Sequence, residues 1–180
     1  MLEEHGLKVL DADEVVHELL EREDVKRKLV DKLGSEVLGE GGKVDRKAVA
    51  RKVFKNRELL KWLENLLHPL VYERYEDFCG RHGGICVLEA ALIFEKGNQK
   101  RFDKTVVVYA PFEVAKERAL KRGMALEDFL RRWNNQMDIE EKKLLADFVV
   151  DNSDGLERTR REVEKLVREL KEELKRKANP

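Results

Sequence analysis

Four short, mostly apolar segments separated by helix-like stretches constrain the fold of this chain more than any other feature of its sequence. The segments span residues 7–10, 85–88, 105–109 and 148–150. None shows the strict alternation of apolar and polar residues that marks a half-exposed strand, so each is predicted to be a strand buried on both faces. Strands of this kind that alternate with helices predict an α/β protein, with a parallel sheet covered by helices on both faces.

Between these strands, apolar residues recur with the period of a helix, and the flanking residues mark the helix ends. We expect Asp13, Asp45 and Asn56 to cap three helices, and Pro69 to end one helix and begin the next. Residues from about 25 to 81 contain no strand segment and are predicted to form a helical insertion. Further helices are predicted over residues 111–122, 125–133 and 156–174. The whole chain, 1–180, is expected to form one domain.

The charge balance and hydropathy of the chain exclude several classes of partner. Its 180 residues carry 37 Lys and Arg against 37 Asp and Glu, so the net charge is zero. A generic nucleic-acid binder would have a basic excess, and a membrane span needs about 18 apolar residues in a row; the sequence has neither. Six acidic residues among the first twenty argue against a signal peptide, and two cysteines do not make a disulfide scaffold. We therefore expect a cytoplasmic protein that binds neither nucleic acid nor membrane.

Polar side chains follow the first and last predicted strands, where the carboxyl ends of a parallel sheet bind ligands. Asp11 and Asp13 follow the first strand. Such carboxylates orient or deprotonate a hydroxyl, or hold a metal; the alternative is that Asp13 only caps a helix. Asn152 lies in the Asp-Asn-Ser-Asp loop after the last strand. This loop either holds a ligand or is a polar turn that caps the final helix.

A basic cluster lies on two predicted helices joined at Gly123. Arg118 and Arg122 are four residues apart on one face of the first helix, Arg132 lies on the second, and Gln136 follows it. Two arginine-bearing helices hinged at a glycine can close over phosphates, which guanidinium groups bind in bidentate fashion. The alternative is a solvated charged face, since 41% of the residues are charged.

A third group, Cys79, His82 and Cys86 with His68 upstream, has a spacing that zinc ligands could have. Cys86, however, falls within a predicted buried strand, where its side chain would belong to the core. Of the three groups of polar residues considered, this one, as a zinc module in the helical insertion, is supported least by the sequence.

Taken in order, these motifs resemble those of the dephospho-CoA kinase family. Arg118, Arg122 and Gln136 fall where the lid arginine and the glutamine after it are expected in that family. The other matching segments are Gly6-Leu7-Lys8-Val9-Leu10-Asp11-Ala12-Asp13, His17-Glu18, Gly42-Lys43-Val44-Asp45-Arg46, Val53-Phe54, Leu63-Glu64, His68-Pro69, Leu92-Ile93-Phe94-Glu95, Ala146-Asp147 and Asp151-Asn152-Ser153. The resemblance covers nearly the whole chain, although Ala91 stands where the family usually has proline.

The resemblance implies a P-loop-kinase-like parallel sheet with a lid at about residues 112–136. It also implies transfer of the γ-phosphoryl group of ATP, with Mg²⁺, to the ribose 3′-hydroxyl of dephospho-CoA, the last step of CoA biosynthesis. Asp13 would orient or deprotonate that hydroxyl, and Arg122 would neutralise the transferring charge. On the same basis the expected ATP-binding residues are Arg118, Arg132, Gln136 and Asn152, and the expected acceptor-binding residues are Asp11, Arg46 and His68. No residue is assigned as a metal ligand.

One expected motif is not found in these 180 residues. They contain no G-x-x-x-x-G-K-[ST] sequence, the loop that cradles the β- and γ-phosphates in P-loop kinases. We expect the family's first strand and this loop, about 20 residues, to precede Met1 in the natural protein, and their absence to leave unpaired strand edges. Alternatively, the chain is a non-catalytic relative that binds CoA, a nucleotide or a protein, and an oligomer or partner completes its sheet.

Overall fold

Four strands form the β-structure of the protein, at the positions predicted from the sequence. The computed structural model describes residues 1–178. The strands are β1 (Lys8–Asp11), β2 (Cys86–Glu89), β3 (Val106–Tyr109) and β4 (Phe148–Asp151). β1 pairs with β2, with Lys8 opposite Cys86, and β3 pairs with β4, with Val106 opposite Phe148. Both ladders are parallel, which confirms the predicted strand direction.

Eight α-helices are found in residues 1–178, together with short 3₁₀ turns. They are α1 (Ala12–Leu20), α2 (Glu23–Leu33), α3 (Arg46–Val53), α4 (Arg57–His82), α5 (Phe112–Lys121), α6 (Leu126–Asn134), α7 (Ile139–Leu145) and α8 (Leu156–Ala178). The sequence did not predict α7, because its seven residues are too few to show a helical period. None of the helices in this part of the chain is both long enough and apolar enough to span a bilayer.

The contacts divide the chain into two compact units. The first unit is Lys8–Glu89, and the second combines Met1–Leu7 with the residues from Ala90 onwards. The predicted insertion at about 25–81 lies within the first unit, and the predicted lid at about 112–136 lies within the second. The single domain expected from the sequence stays a prediction.

The start of α1 in the first unit differs from the prediction. Asp11, not Asp13, is the N-cap: its Oδ1 accepts hydrogen bonds from the backbone N–H of Asp13 at 2.7 Å and of Glu14 at 3.3 Å. Asp11 ends β1 in an extended conformation, so the helix begins directly at the strand end and takes Asp13 into its first turn. The predicted caps Asp45 and Asn56 are confirmed by the same kind of bond.

Helix α4 passes through Pro69 without ending, so the predicted break at this residue is wrong. A proline inside a helix removes one backbone hydrogen bond and costs about 3 kcal/mol. Leu67 and Val71, on either side of it, are both 6% exposed. The helix packs on α1 and α3 and on both strands of its unit, and the apolar burial gained along its length offsets the cost of Pro69.

In the second unit, α8 packs on β4 and buries an apolar stripe that includes Val163, Leu166 and Val167. The N-terminal segment is tied to the same helix by polar contacts. Arg160 forms an ion pair with Glu4 at 2.9 Å, and Lys171 donates to the backbone carbonyl of His5 at 2.8 Å. The first seven residues therefore belong structurally with the end of the chain.

Candidate functional site

Five residues that the sequence proposed as functional line one cleft in the second unit. The cleft has a volume of about 300 Å³, and these five residues are Arg118, Arg122, Arg132, Gln136 and Asn152. The rest of the wall is apolar and consists of Ala110, Ala115, Ala119, Met124, Phe129 and Trp133. The structure thus brings together side chains from α5, α6, the segment after α6, and the loop after β4.

The turn at Gly123 sets the path of the chain between the two arginine-bearing helices. Arg122 follows the last residue of α5, and Gly123 has φ of +86°, in the left-handed region that side chains with a Cβ disfavour. The N–H of Met124 donates to the carbonyl of Ala119 at 3.1 Å, which closes the helix end. The predicted junction of two helices at this glycine is confirmed.

An aromatic cluster forms the apolar side of the cleft. The ring centroids of Phe112 and Phe129 are 5.6 Å apart, those of Phe112 and Trp133 5.3 Å, and those of Phe129 and Trp133 5.7 Å. The sequence analysis missed this cluster, although Phe129 and Trp133 are four residues apart on one predicted helix. Such rings give a stiff wall against which a flat ligand can pack.

Arg118 holds the loop after β4 with its guanidinium group. Nη1 donates to the carbonyl of Asn152 at 2.5 Å, and Nη2 donates to the carbonyl of Asp154 at 2.7 Å. The side chain of Asn152 is fixed in turn, because its Oδ1 accepts from the hydroxyl of Thr159 at 2.8 Å. Arg122 and Arg132 are exposed at the cleft. Arg118 is therefore an organiser of the site, and the two exposed arginines are the groups open to an anion.

Asp151, at the end of β4, stabilises the same loop. Its Oδ1 accepts from the hydroxyl of Ser153 at 2.5 Å and from the N–H of Ser153 at 2.9 Å, and Arg158 lies 2.9 Å from Oδ2. These hydrogen bonds, and then the positive charge of Arg158, lower the pKa of Asp151. The loop therefore forms a polar turn before α8 while Asn152 lines the cleft, so the two alternatives for this loop are compatible.

A buried ion pair lies beside Gln136. Lys142 Nζ is 2.6 Å from Glu95 Oε1, and the two side chains are 8% and 13% exposed. The same ammonium group donates to the carbonyl of Ala91 at 3.1 Å and to Gln136 Oε1 at 3.3 Å. The sequence indicates Glu95 only as part of a motif and gives no signal for Lys142.

The predicted acceptor-side residues lie in the first unit. Asp13 is exposed in the first turn of α1, and its carboxylate has no hydrogen-bond or ion-pair partner among residues 1–178. Arg46, the first residue of α3, is exposed, and its guanidinium group contacts His17 Nε2. His68 is half-buried on α4. The sequence noted His17 only as part of a motif and gave it no role.

The structure does not support the zinc hypothesis. No group of three or more His, Cys, Asp or Glu side chains suited to a metal ion occurs in residues 1–178. Cys86 lies in β2, and its burial, together with the neighbouring thiol of Cys79, raises its pKa to about 11.

Comparisons with known proteins identify the family of this chain. Residues 1–158 match the model of the dephospho-CoA kinase family. A dephospho-CoA kinase from Aquifex aeolicus is 45% identical over 173 residues, which cover 94% of this chain and 88% of that protein. One from Helicobacter pylori is 36% identical over 176 residues, with 94% and 88% of the two chains covered.

Two solved structures resemble the fold. The crystal structure of TT1252 from Thermus thermophilus matches with a TM-score of 0.80 and 36% identity over 94% of this chain and 87% of that one. Dephospho-CoA kinase from Campylobacter jejuni matches with a TM-score of 0.67 and 29% identity over 93% and 87%. The shared fold defines an α/β kinase of the P-loop type. Within that class, the chain belongs to the dephospho-CoA kinase family.

Proposed function

We propose that this protein transfers the γ-phosphoryl group of ATP to the ribose 3′-hydroxyl of dephospho-CoA, which completes CoA biosynthesis. The observation that carries the proposal is the cleft in the second unit, where two exposed arginines meet Gln136 and Asn152 against an aromatic wall. The names of the relatives, all dephospho-CoA kinases, identify the reaction.

In this proposal the cleft binds ATP. Arg122 and Arg132 face the phosphates, because planar guanidinium groups form paired, charge-assisted hydrogen bonds with phosphate oxygens. Phosphoryl transfer depends mainly on positioning and on neutralising charge, so Arg122 acts on the transferring group itself. Asn152, held by Arg118 and Thr159, lies on the adenine side.

The acceptor is handled by residues of the first unit. Asp13 orients the 3′-hydroxyl and accepts its proton, a role that needs a carboxylate free of other partners. Asp11 supports it, because its capping bond fixes the backbone N–H of Asp13. Arg46 and His68 bind the anionic and polar groups of dephospho-CoA.

We also propose that the reaction uses Mg²⁺. Proteins hold this ion through one or two carboxylates, with the substrate phosphates and water completing the shell. Asp11, at the end of β1, is a carboxylate of suitable chemistry, and a complete cage of protein ligands is not required. When bound, the ion neutralises charge on the phosphates of ATP.

The proposal is tested by an ADP-release assay with ATP, Mg²⁺ and dephospho-CoA, with the product identified by mass spectrometry. We expect ADP release that depends on dephospho-CoA and a product that has gained one phosphate group. Binding of both ligands without any product would contradict the kinase proposal. It would favour the non-catalytic nucleotide-binding relative considered from the sequence.

Two further expectations from the sequence stay predictions. One is the cytoplasmic location. The other is an oligomer or partner that completes the sheet, which is supported by exposed apolar side chains on β3: Val106 is 38% exposed and Val108 61%. Light scattering of the purified chain across a concentration range tests it, and a monomer at all concentrations would argue against self-association.

A further inference from the structure

The ion pair between Lys142 and Glu95 is the most buried charged contact beside the cleft. Lys142 belongs to α7, whereas Glu95 follows β2 in the chain. Burying an ammonium and a carboxylate carries a large desolvation penalty, and such pairs are weak devices for stability alone. In addition, Glu95 Oε2 is buried without a hydrogen-bond partner in the described part of the chain. A pair retained at this cost points to a role beyond stability.

The contacts of the pair converge on the segment that follows α6. Lys142 Nζ donates to Gln136 Oε1 at 3.3 Å as well as to the carbonyl of Ala91 at 3.1 Å. Glu95 Oε1 accepts from the backbone N–H of Met137 at 2.8 Å. Gln136 is thus held through its side chain, and the next residue, Met137, is held through its backbone.

This arrangement fixes which end of the Gln136 amide is available to a ligand. A lysine ammonium can donate hydrogen bonds but cannot accept them, so the Gln136 atom that faces Lys142 must be the oxygen. The amide NH₂ group, with two donors, is then the end left for a ligand. Because Gln136 lines the cleft, it offers hydrogen-bond donors there.

We propose that Lys142 and Glu95 are positioning residues for the nucleotide: they hold Gln136 so that its NH₂ group donates to an acceptor atom of bound ATP. The inference rests on the proposed function, since ATP is the ligand it names. Lys142 does not touch the nucleotide in this proposal and acts through Gln136.

The test is a double-mutant cycle in the affinity for ATP, measured by calorimetry on the full chain. Lys142→Met is expected to raise the Kd for ATP about tenfold in the wild-type background. In a Gln136→Ala background the same change should raise it less than twofold, because the group that Lys142 positions is already gone. The matched control is Lys143→Met, whose lysine forms an exposed pair with Glu140, and it should leave the Kd unchanged.

A second variant changes Gln136 itself and leaves Lys142 and Glu95 in place. Gln136 is exposed, so Gln136→Glu should fold normally while replacing the two donors with a carboxylate. We expect at least a tenfold rise in the Kd for ATP, with an unchanged melting temperature by circular dichroism.

The outcomes separate the two proposals. If Lys142→Met weakens ATP binding equally in the wild-type and Gln136→Ala backgrounds, Lys142 has a general structural role and the inference is overturned. Unchanged ATP binding in Lys142→Met or in Gln136→Glu overturns it as well. A wild-type chain that binds no ATP overturns the proposed function, and the inference falls with it. If Lys142→Met does not fold, the result for Gln136→Glu decides.

Discussion

The cleft of the second unit and the end of β1 in the first unit are organised in opposite ways. In the cleft, Arg118 and Asn152 are held by hydrogen bonds to the protein, and Gln136 is held by Lys142. Just after β1, the Asp13 side chain is exposed and has no partner among residues 1–178. A preorganised pocket reduces the cost of ordering side chains on binding, which suits recognition. A free carboxylate suits a group that must accept a proton from a substrate.

The sharpest test of this difference is Asp13→Ala. If Asp13 serves the chemical step, kcat should fall about 10²- to 10⁴-fold while the Kd for ATP stays the same. The helix should survive, because its cap is Asp11. Steady-state kinetics and calorimetry measure the two effects, and a variant that keeps most of its kcat would remove Asp13 from the mechanism.

Arg122→Ala tests the cleft in the complementary way. The loss of a charged hydrogen-bond donor to phosphate should weaken ATP binding about 10- to 100-fold, because such bonds contribute about 1.5–3 kcal/mol. The matched control is Lys121→Ala, whose lysine is exposed and pairs with Glu117. Equal losses in the two variants would indicate general attraction by positive charge and not a specific contact.

Asp147 is a carboxylate of the second unit that we expect to stabilise the fold and to take no part in phosphoryl transfer. It accepts from the N–H of Thr105 at 2.7 Å and from the Thr105 hydroxyl at 2.9 Å, and the backbone bond is the main cause of its lowered pKa. Because the folded pKa lies below the unfolded value, about 3.9, this stabilisation is fully present above the unfolded pKa. It is lost as the pH falls through the folded pKa.

Because Asp147 is exposed and its interactions are screened by water, Asp147→Ala should lower the free energy of unfolding at pH 7 by about 0.5–1.5 kcal/mol. The difference from the wild type should shrink as the pH falls below about 3.9, and the Kd for ATP should not change. Urea titrations at several pH values measure this. A difference that is constant with pH would mean that the charge of Asp147 does not contribute.

The smallest effect is expected for His17→Ala. His17 contacts Arg46 but is not expected to touch the substrate, so its loss frees Arg46 without removing it. We expect the KM for dephospho-CoA to rise about 2- to 10-fold, the value of one ordinary hydrogen bond, with the Kd for ATP unchanged. A loss as large as that of Arg46→Ala would show that the two residues act as a unit.

Much of the fold could be predicted from local sequence signals. The features that depend on long-range contacts could not. The four strands and the caps at Asp45 and Asn56 were predicted because their signals lie within a few residues of one another. The break at Pro69 was wrong because tertiary burial on either side outweighs the cost of the proline. The cap of α1 was misassigned because Asp11 and Asp13 are chemically equivalent until the backbone is known.

The candidate site likewise divides into residues that local motifs predicted and residues that only the three-dimensional packing reveals. The five cleft residues were proposed from motifs, the structure places them in one cleft, and their individual roles stay predictions. Lys142 was missed because its partner Ala91 lies 51 positions away in the sequence. Nothing near Lys142 distinguishes it from Lys143, and only the packing shows that Lys142 is buried and Lys143 half-buried.

The tie between the N-terminal segment and α8 has a consequence for synthesis on the ribosome. The first unit is continuous in sequence and can fold once Glu89 has emerged. The bond between Lys171 and His5 cannot form until about 80 residues later, which at 5–20 residues per second is about 4–16 s. During that interval Met1–Leu7 lack their partner helix. We expect nascent chains arrested once Glu89 has left the ribosome to protect the first unit from protease while leaving Met1–Leu7 open to cleavage.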